Sequence, residues 1–200
     1  MAESVDYYLT LNSPWSYLGH GRFAELMKAH GLAARAHPVD FGTIFPATGG
    51  LPLGKRSPQR QAYRLQELER WPKFLGVPIN VQPKFWPADE TLGAGMVRAA
   101  EESGAGGLAL AGALLRAVWA EDRDIADGET LLAVAADCGL DGGSLMEEAG
   151  TQAIAERRAA DSREAIERGV FGAPTYIIDG QIFWGQDRLD MLKLALEGRL

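Results

Sequence analysis

Few places in this chain hold residue types at spacings that could do chemistry. The clearest is SPWSYLGH, where Ser13 and Pro14 open a helical pattern and a second hydroxyl follows at Ser16. Serine before proline is a helix start: the hydroxyl accepts from an amide of the first turn, and proline has no donor to lose there. Capping accounts for Ser13 by itself. The stretch FGAPTYII is odder, because Pro174 opens an apolar, strand-like run and removes a ladder donor. GGLPLGKRS nearly matches a phosphate-binding loop through Gly49, Gly54 and Lys55. Arg56, however, stands where the magnesium-binding hydroxyl belongs, and Pro52 takes a backbone donor from the cradle. No strand pattern feeds this loop, so it reads as a basic loop near an anionic ligand or as plain surface. His20, His30 and His37 lack paired ligand spacing and no cysteine cluster accompanies them, so no metal is expected. Cys138 reads as a small buried apolar residue, Val118 and Trp119 as core, and Glu101-Glu102 and Glu147-Glu148 as solvated helix faces.

Elements must hold these residues in place. VDYYLTL alternates Val5, Tyr7, Leu9 and Leu11 on one face, the two-residue period of a strand. A helix follows from Pro14 to about His30, closing near Gly31, and LAARAHPVDF reads as a second strand. A β-α-β unit of this kind implies a parallel pair. Ser57-Pro58 starts another helix, with Ala62, Leu65, Leu68, Trp71 and Leu75 at near-helical spacing. From Asp89 to Arg168, Ala, Leu, Glu and Arg dominate between scattered glycines, a succession of helices without a strand candidate. TYII and QIFW flank Asp179-Gly180, a two-residue hairpin signal, and a closing helix carries Leu189, Leu192 and Leu196 on one face.

The order β-α-β, helices, β-β-α is that of an α/β, thioredoxin-like fold with a large all-helical insertion. Residues 1–40 and 161–200 are expected to form the discontinuous thioredoxin-like domain, and residues 41–160 the helical insertion domain. In that order Pro174 is expected to be cis and to face the start of the first helix. The N–H and C=O of Ala173 would then be free to pair with an extended peptide. Ser13 and Ala173-Pro174, from opposite ends of the chain, would lie side by side.

Composition narrows the function classes. The chain has 200 residues, 46% hydrophobic and 24% charged, ample for a sizeable core. A formal net charge of −7 argues against a nucleic-acid surface, which needs a basic stripe to displace counterions. The single Cys138 excludes an internal disulfide and fits a reducing compartment. The start MAESVDYYL lacks the basic head and apolar stretch of a signal peptide. The apolar run from Gly106 to Ala120 is interrupted by Arg116 and too short to span a bilayer. The expectation is a cytoplasmic protein without membrane or nucleic-acid partners. A homodimer is compatible with this reading, dimers being the commonest soluble assembly.

SPWSYLG, RSPQRQAYRLQELERW and VFGAPTYIIDGQIFWGQDRLDML, in that order, resemble the 2-hydroxychromene-2-carboxylate isomerases, relatives of kappa-class glutathione transferases and of DsbA. Redox relatives carry Cys-x-x-Cys at the helix start. With Ser13 and Ser16 there, dithiol-disulfide exchange is impossible. The resemblance implies that glutathione supplies the sulfur and the protein activates it. The implied reaction is isomerisation of 2-hydroxychromene-2-carboxylate to trans-o-hydroxybenzylidenepyruvate, a step of naphthalene catabolism, with a small aromatic carboxylate as substrate. A kappa-like transferase and a non-catalytic glutathione- or peptide-binding module remain as alternatives. Carried over by the resemblance, Ser13 stands beside the glutathione sulfur, and Ala173, ahead of Pro174, pairs with the cysteinyl backbone. Trp184, Gly185, Gln186 and Asp187 hold the γ-glutamyl end, and Lys55 falls at a polar glutathione-binding position. Phe85 and Trp86 fall near the substrate pocket, and Arg56 is expected near the substrate carboxylate.

Overall fold

β1 (Ser4–Leu9) runs through the centre of a four-stranded sheet in the computed structural model, which describes residues 3–200. The strand order is β2-β1-β3-β4, with β2 (Ala33–Pro38) parallel to β1 and β3 (Thr175–Ile178) antiparallel to it. β4 (Gln181–Trp184) closes the edge through a hairpin in which Asp179 and Gly180 both take left-handed φ, 47° and 77°. That pair of angles is what a two-residue hairpin requires, and the Asp-Gly dipeptide supplies it.

α1 (Pro14–His30) joins the parallel pair, capped by Ser13 and closed by Gly31 at φ 63°. Between β2 and β3 every regular element is helical: α2 (Phe41–Thr48), α3 (Pro58–Leu75), α4 (Thr91–Glu102), α5 (Gly107–Trp119), α6 (Gly128–Asp137), α7 (Gly142–Ala149) and α8 (Gln152–Glu167). α9 (Leu189–Leu196) ends the fold. The sequence pattern anticipates these helices except α2, whose periodicity is diluted by Gly42 and by Pro46 inside the helix. Asp40 starts α2 instead, its carboxylate accepting from the Gly42 amide at 2.7 Å and the Thr43 hydroxyl at 2.8 Å. No helix among the described residues is long and apolar enough to cross a membrane.

Alternation in β1 marks one buried face, yet both faces are covered. Val5, Tyr7 and Leu9 join the main core with Met96, Leu114 and Trp119. On the other face Tyr8 packs with Ile44 of α2 and Ala165 of α8, so a central strand in this sheet has no solvent side. Asp6 is buried on that second face, its carboxylate meeting Arg35 Nε at 2.8 Å, His37 Nε2 at 3.0 Å and Arg168 at 2.8 Å. α1 lies close against the loop after β4. A Cβ at Gly19 would sit 2.8 Å from Gln186 Cβ and 2.9 Å from the Tyr176 hydroxyl. Gly19→Ala should therefore cost about 1–3 kcal/mol by overpacking, measured as a fall in denaturation midpoint at unchanged slope.

Candidate active site

The chain leaves β1 at Leu9 and turns through Thr10, Leu11 and Asn12 before α1 begins, and this turn is pinned from several directions. Trp119 Nε1 donates to the Leu11 carbonyl and Trp86 Nε1 to the Asn12 carbonyl, each at 3.0 Å. The two indoles pack against each other, ring centroids 5.7 Å apart, so neighbouring side chains fix consecutive carbonyls. The Asn12 amide exchanges two hydrogen bonds with the Ala88 backbone, at 2.9 and 3.0 Å. Glu90 accepts from the Thr10 hydroxyl at 2.7 Å and from the Asn12 backbone N–H at 3.1 Å. Burial pushes the Glu90 carboxyl up despite these donors.

Ser13 follows this fixed turn in extended backbone, 7% exposed. Its Oγ accepts from the Ser16 amide at 3.1 Å and donates to the Ala173 carbonyl at 3.4 Å. The first turn of α1 holds no acidic residue, so no charge on the helix itself offsets its positive end beside the hydroxyl. Ser16 itself is fully buried beneath.

Ala173-Pro174 is cis. The bend is held by the Gly185 amide donating to the Pro174 carbonyl at 2.9 Å and by the Thr175 hydroxyl donating to the Gly172 carbonyl at 2.7 Å. Among the described residues the Ala173 N–H has no acceptor. Ser13 and Ala173 thus face each other across one end of a cleft of about 1050 Å³.

The far wall comes from the segment between α2 and α3 and from α3 itself. Arg60 and Arg64, four residues apart, share one side of α3, Arg56 stands in extended backbone just before that helix, and all three line the cleft. None of them enters an ion pair among the described residues. Arg56 Nε donates to the Leu51 carbonyl at 2.8 Å, and its guanidinium lies 5.9 Å from the Phe45 ring centre. Arg64 lies over the Trp86 ring at 5.2 Å. Burial and the Arg60 charge push Arg56 down, and burial and the Arg56 charge push Arg64 down to about 10. Asp40, Glu67 and Glu90 line the same cleft, so the arginines do not make it positive overall; they make a cationic patch on its α3 side, and a cleft focuses such a field.

Of the residues expected at the site, Ser13, Arg56, Trp86, Ala173 and Trp184 line this cleft. Pro174 stands behind Ala173. Lys55 is exposed at the end of the short turn Leu53–Lys55 and lies outside the lining, where its neighbour Arg56 enters it. Phe85 also lies outside, under the Lys84 ammonium at 4.8 Å. Gly185 adopts φ 107°, Gln186 is buried, and Asp187 pairs with Arg188 at 3.3 Å; none of these three lines the cleft. Sequence reasoning missed Arg60, Arg64, Asn12 and Glu90. The four-residue arginine spacing was a readable signal. Asn12 and Glu90 had none, because their partners lie 76 to 80 residues away.

Residues 4–197 match the DSBA-like thioredoxin domain. The chain is 32% identical over 199 residues to the 2-hydroxychromene-2-carboxylate isomerase of Pseudomonas putida, covering 98% of this chain and 95% of that one. It is 22% identical over 206 residues to glutathione S-transferase kappa 1 of Rattus norvegicus, covering 96% and 90%. The solved structure of a selenomethionine 2-hydroxychromene-2-carboxylate isomerase superposes with a TM-score of 0.81 at 27% identity, over 98% of this chain and 95% of that one. With identity of this level along nearly the whole length, on the same fold, the chain is an isomerase and belongs to the 2-hydroxychromene-2-carboxylate isomerase family of DSBA-like thioredoxin-domain proteins.

Proposed function

We propose that this protein is a glutathione-dependent isomerase that converts 2-hydroxychromene-2-carboxylate to trans-o-hydroxybenzylidenepyruvate, a step in the catabolism of naphthalene and related aromatics. The observation that carries the reading is Ser13: a hydroxyl at the mouth of α1, 3.4 Å from the Ala173 carbonyl that precedes the cis proline, in a cleft walled by arginines without ion-pair partners among the described residues. Glutathione, when bound, supplies a thiolate that adds reversibly to a conjugated carbon, so that a double bond becomes rotatable before the thiol leaves.

The residues present fit glutathione. It is a short peptide with an extended backbone, and Ala173 offers it an unused N–H. It carries two carboxylates, and Arg56 and Arg60 offer guanidinium groups that no protein carboxylate occupies. Ser13 keeps one lone pair for the Ser16 amide, and its proton, held only by a long 3.4 Å bond to the Ala173 carbonyl, can turn to a sulfur anion. The helix mouth favours that anion further. Aromatic side chains, among them Phe41, Phe45 and Tyr63, give the remaining space an apolar lining suited to a planar substrate.

Calorimetric titration with reduced glutathione tests the reading. Binding is expected, and it should weaken as salt is raised, because the arginine contacts are partly exposed and therefore screened. Absence of binding at millimolar glutathione would sink it. A kappa-like transferase on the same cleft would release a glutathione conjugate instead of a rearranged substrate, and product analysis separates the two.

A further inference from the structure

Arg64 is the half-buried cation of the cleft that makes neither a hydrogen bond nor an ion pair among the described residues. It stands on α3, and its guanidinium lies 5.2 Å from the Trp86 ring centre. The carboxylates that share the cleft are engaged elsewhere. Asp40 caps α2, Glu67 accepts from Arg70 and from Trp71 Nε1, and Glu90 holds Thr10 and Asn12. No hydrogen bond or ion pair to Arg64 occurs among the described residues. Taking a guanidinium out of water without a partner is unfavourable, so a charge held in this way beside an open cavity is complementary to an anion that arrives later.

Its position says which anion. Trp86, beneath Arg64, donates to the Asn12 carbonyl, and Asn12 immediately precedes Ser13. Arg64 is therefore tied, through one indole, to the turn that places the reactive end of the cleft. Arg56 differs: its Nε is spent on the Leu51 carbonyl, and it leans on Phe45 at the α2 side. Arg60 is exposed. Of the three, Arg64 stands closest in the chain of contacts to Ser13 and keeps its whole planar fork for a ligand.

We infer that Arg64, stacked on Trp86, is the specificity-determining residue that receives the carboxylate of the aromatic substrate, so that the site selects planar aromatic acids over their neutral counterparts. The inference rests on the isomerase reading of the cleft and adds to it the group that chooses the substrate. A planar guanidinium fork matches a carboxylate with two parallel hydrogen bonds, and cation-π contact with the indole holds that fork in orientation. Burial and the neighbouring Arg56 charge push Arg64 down to about 10, which leaves it cationic at neutral pH. The apolar cleft walls would carry the ring.

Binding of chromone-2-carboxylate, followed by tryptophan fluorescence without glutathione, tests this apart from turnover. Arg64→Met should weaken that anion about tenfold or more, as expected for loss of a charge-assisted hydrogen bond, and leave uncharged chromone unaffected. Arg64→Lys should restore part of the affinity, because it returns the charge without the fork. Arg64 has no hydrogen bond or ion pair to lose among the described residues, only its contact with the Trp86 ring, so both variants are expected to fold, which far-ultraviolet dichroism checks. Equal affinity of wild type and Arg64→Met for the acid overturns the inference. An equal loss for acid and neutral chromone also overturns it, since Arg64 would then only pack. Failure of the wild type to bind chromone-2-carboxylate overturns it as well. Glutathione titration of the same preparations reads the cofactor proposal separately. Arg64-dependent binding of the acid by a protein that ignores glutathione supports the inference and removes only the cofactor.

Discussion

Ser13→Ala should fold, bind glutathione, and turn over roughly ten- to a hundredfold more slowly than wild type, with the thiol pKa of bound glutathione raised by about one to two units. The reasoning starts from the free thiol, which at pKa ~8.5 is only a few per cent ionised at neutral pH. A hydroxyl hydrogen bond to a sulfur anion contributes about 1.5–3 kcal/mol, and the helix end about 0.3–1 kcal/mol. At about 1.4 kcal/mol per unit, the hydroxyl alone is enough to bring the thiol near neutrality. The alanine variant keeps the helix end and loses the hydroxyl, so its thiol should stay partly lowered. Capping and activation do not compete for Ser13. The lone pair toward the Ser16 amide serves the cap at 3.1 Å, and the proton serves the cleft, resting on the Ala173 carbonyl at a long 3.4 Å. Moving that proton to a sulfur gives up a weak bond for a charge-assisted one. The alanine variant should also lose about 0.5–2 kcal/mol of stability with the cap. Thiolate absorbance titrated against pH separates the two effects. An unchanged thiol pKa together with unchanged turnover in a folded variant would leave the hydroxyl as a cap and nothing more. Ser13→Cys is not expected to rescue activity, since its thiol can exchange with glutathione disulfide, giving a mixed disulfide and releasing one reduced glutathione.

Local chemistry in the sequence was enough for most of the frame. Ser-Pro at Ser13 and Ser57 begins helices, Asp179-Gly180 makes the hairpin, and glycine ends α1, because each signal depends on residues a turn apart. The meeting of Ser13 with Ala173 was expected from element order, because in a thioredoxin-like order the proline before β3 faces the start of the first helix. Side-chain contacts between distant segments were not readable. Asp6 and Glu90 look like ordinary surface acids until α8 and the turn before α1 close over them. Trp86 appears in the sequence as a pocket aromatic, yet its indole N–H also fixes the residue before Ser13. The basic loop illustrates the same limit at closer range. Its charge was legible, whereas the rotation that exposes Lys55 and turns Arg56 inward is set by the short turn at Leu53–Lys55 and by the Leu51 carbonyl.

Asp6→Asn should destabilise the protein by about 3 kcal/mol while leaving the turnover of the folded enzyme unchanged. The side chain is 6% exposed and meets Arg35, His37 and Arg168; asparagine preserves its shape and removes the charge. Burial raises the Asp6 carboxyl, but hydrogen bonds from His37 and Arg168, with the charges of His37 and Arg35, hold it far below the usual range. Burial works against the His37 cation too, and the Asp161 and Asp6 carboxylates outweigh it, so His37 is raised. Asp161 lies 3.9 Å from Nδ1, beyond hydrogen-bond reach, and acts there by Coulomb attraction. Arg35 is 59% exposed and solvent-screened, so most of the loss should come from His37 and Arg168. The two shifts have opposite pH signatures. A depressed carboxyl contributes fully above its unfolded pKa near ~4, and its contribution is lost only as pH falls through the lower folded value. A raised histidine contributes fully below its unfolded pKa near ~6.5, and its contribution is lost as pH climbs through the higher folded value. Both are therefore complete between about pH 4 and 6.5, and the penalty of Asp6→Asn should be greatest there and shrink on the alkaline side. Urea denaturation of wild type and variant on each side of pH ~6.5 measures this. A penalty that stays flat across that range would mean that Asp6 does not hold His37 charged. Asp6, Arg35, His37 and Arg168 all lie outside the cleft lining, so a loss of stability with intact turnover is the signature of a support beneath β1 and not of a second catalytic group.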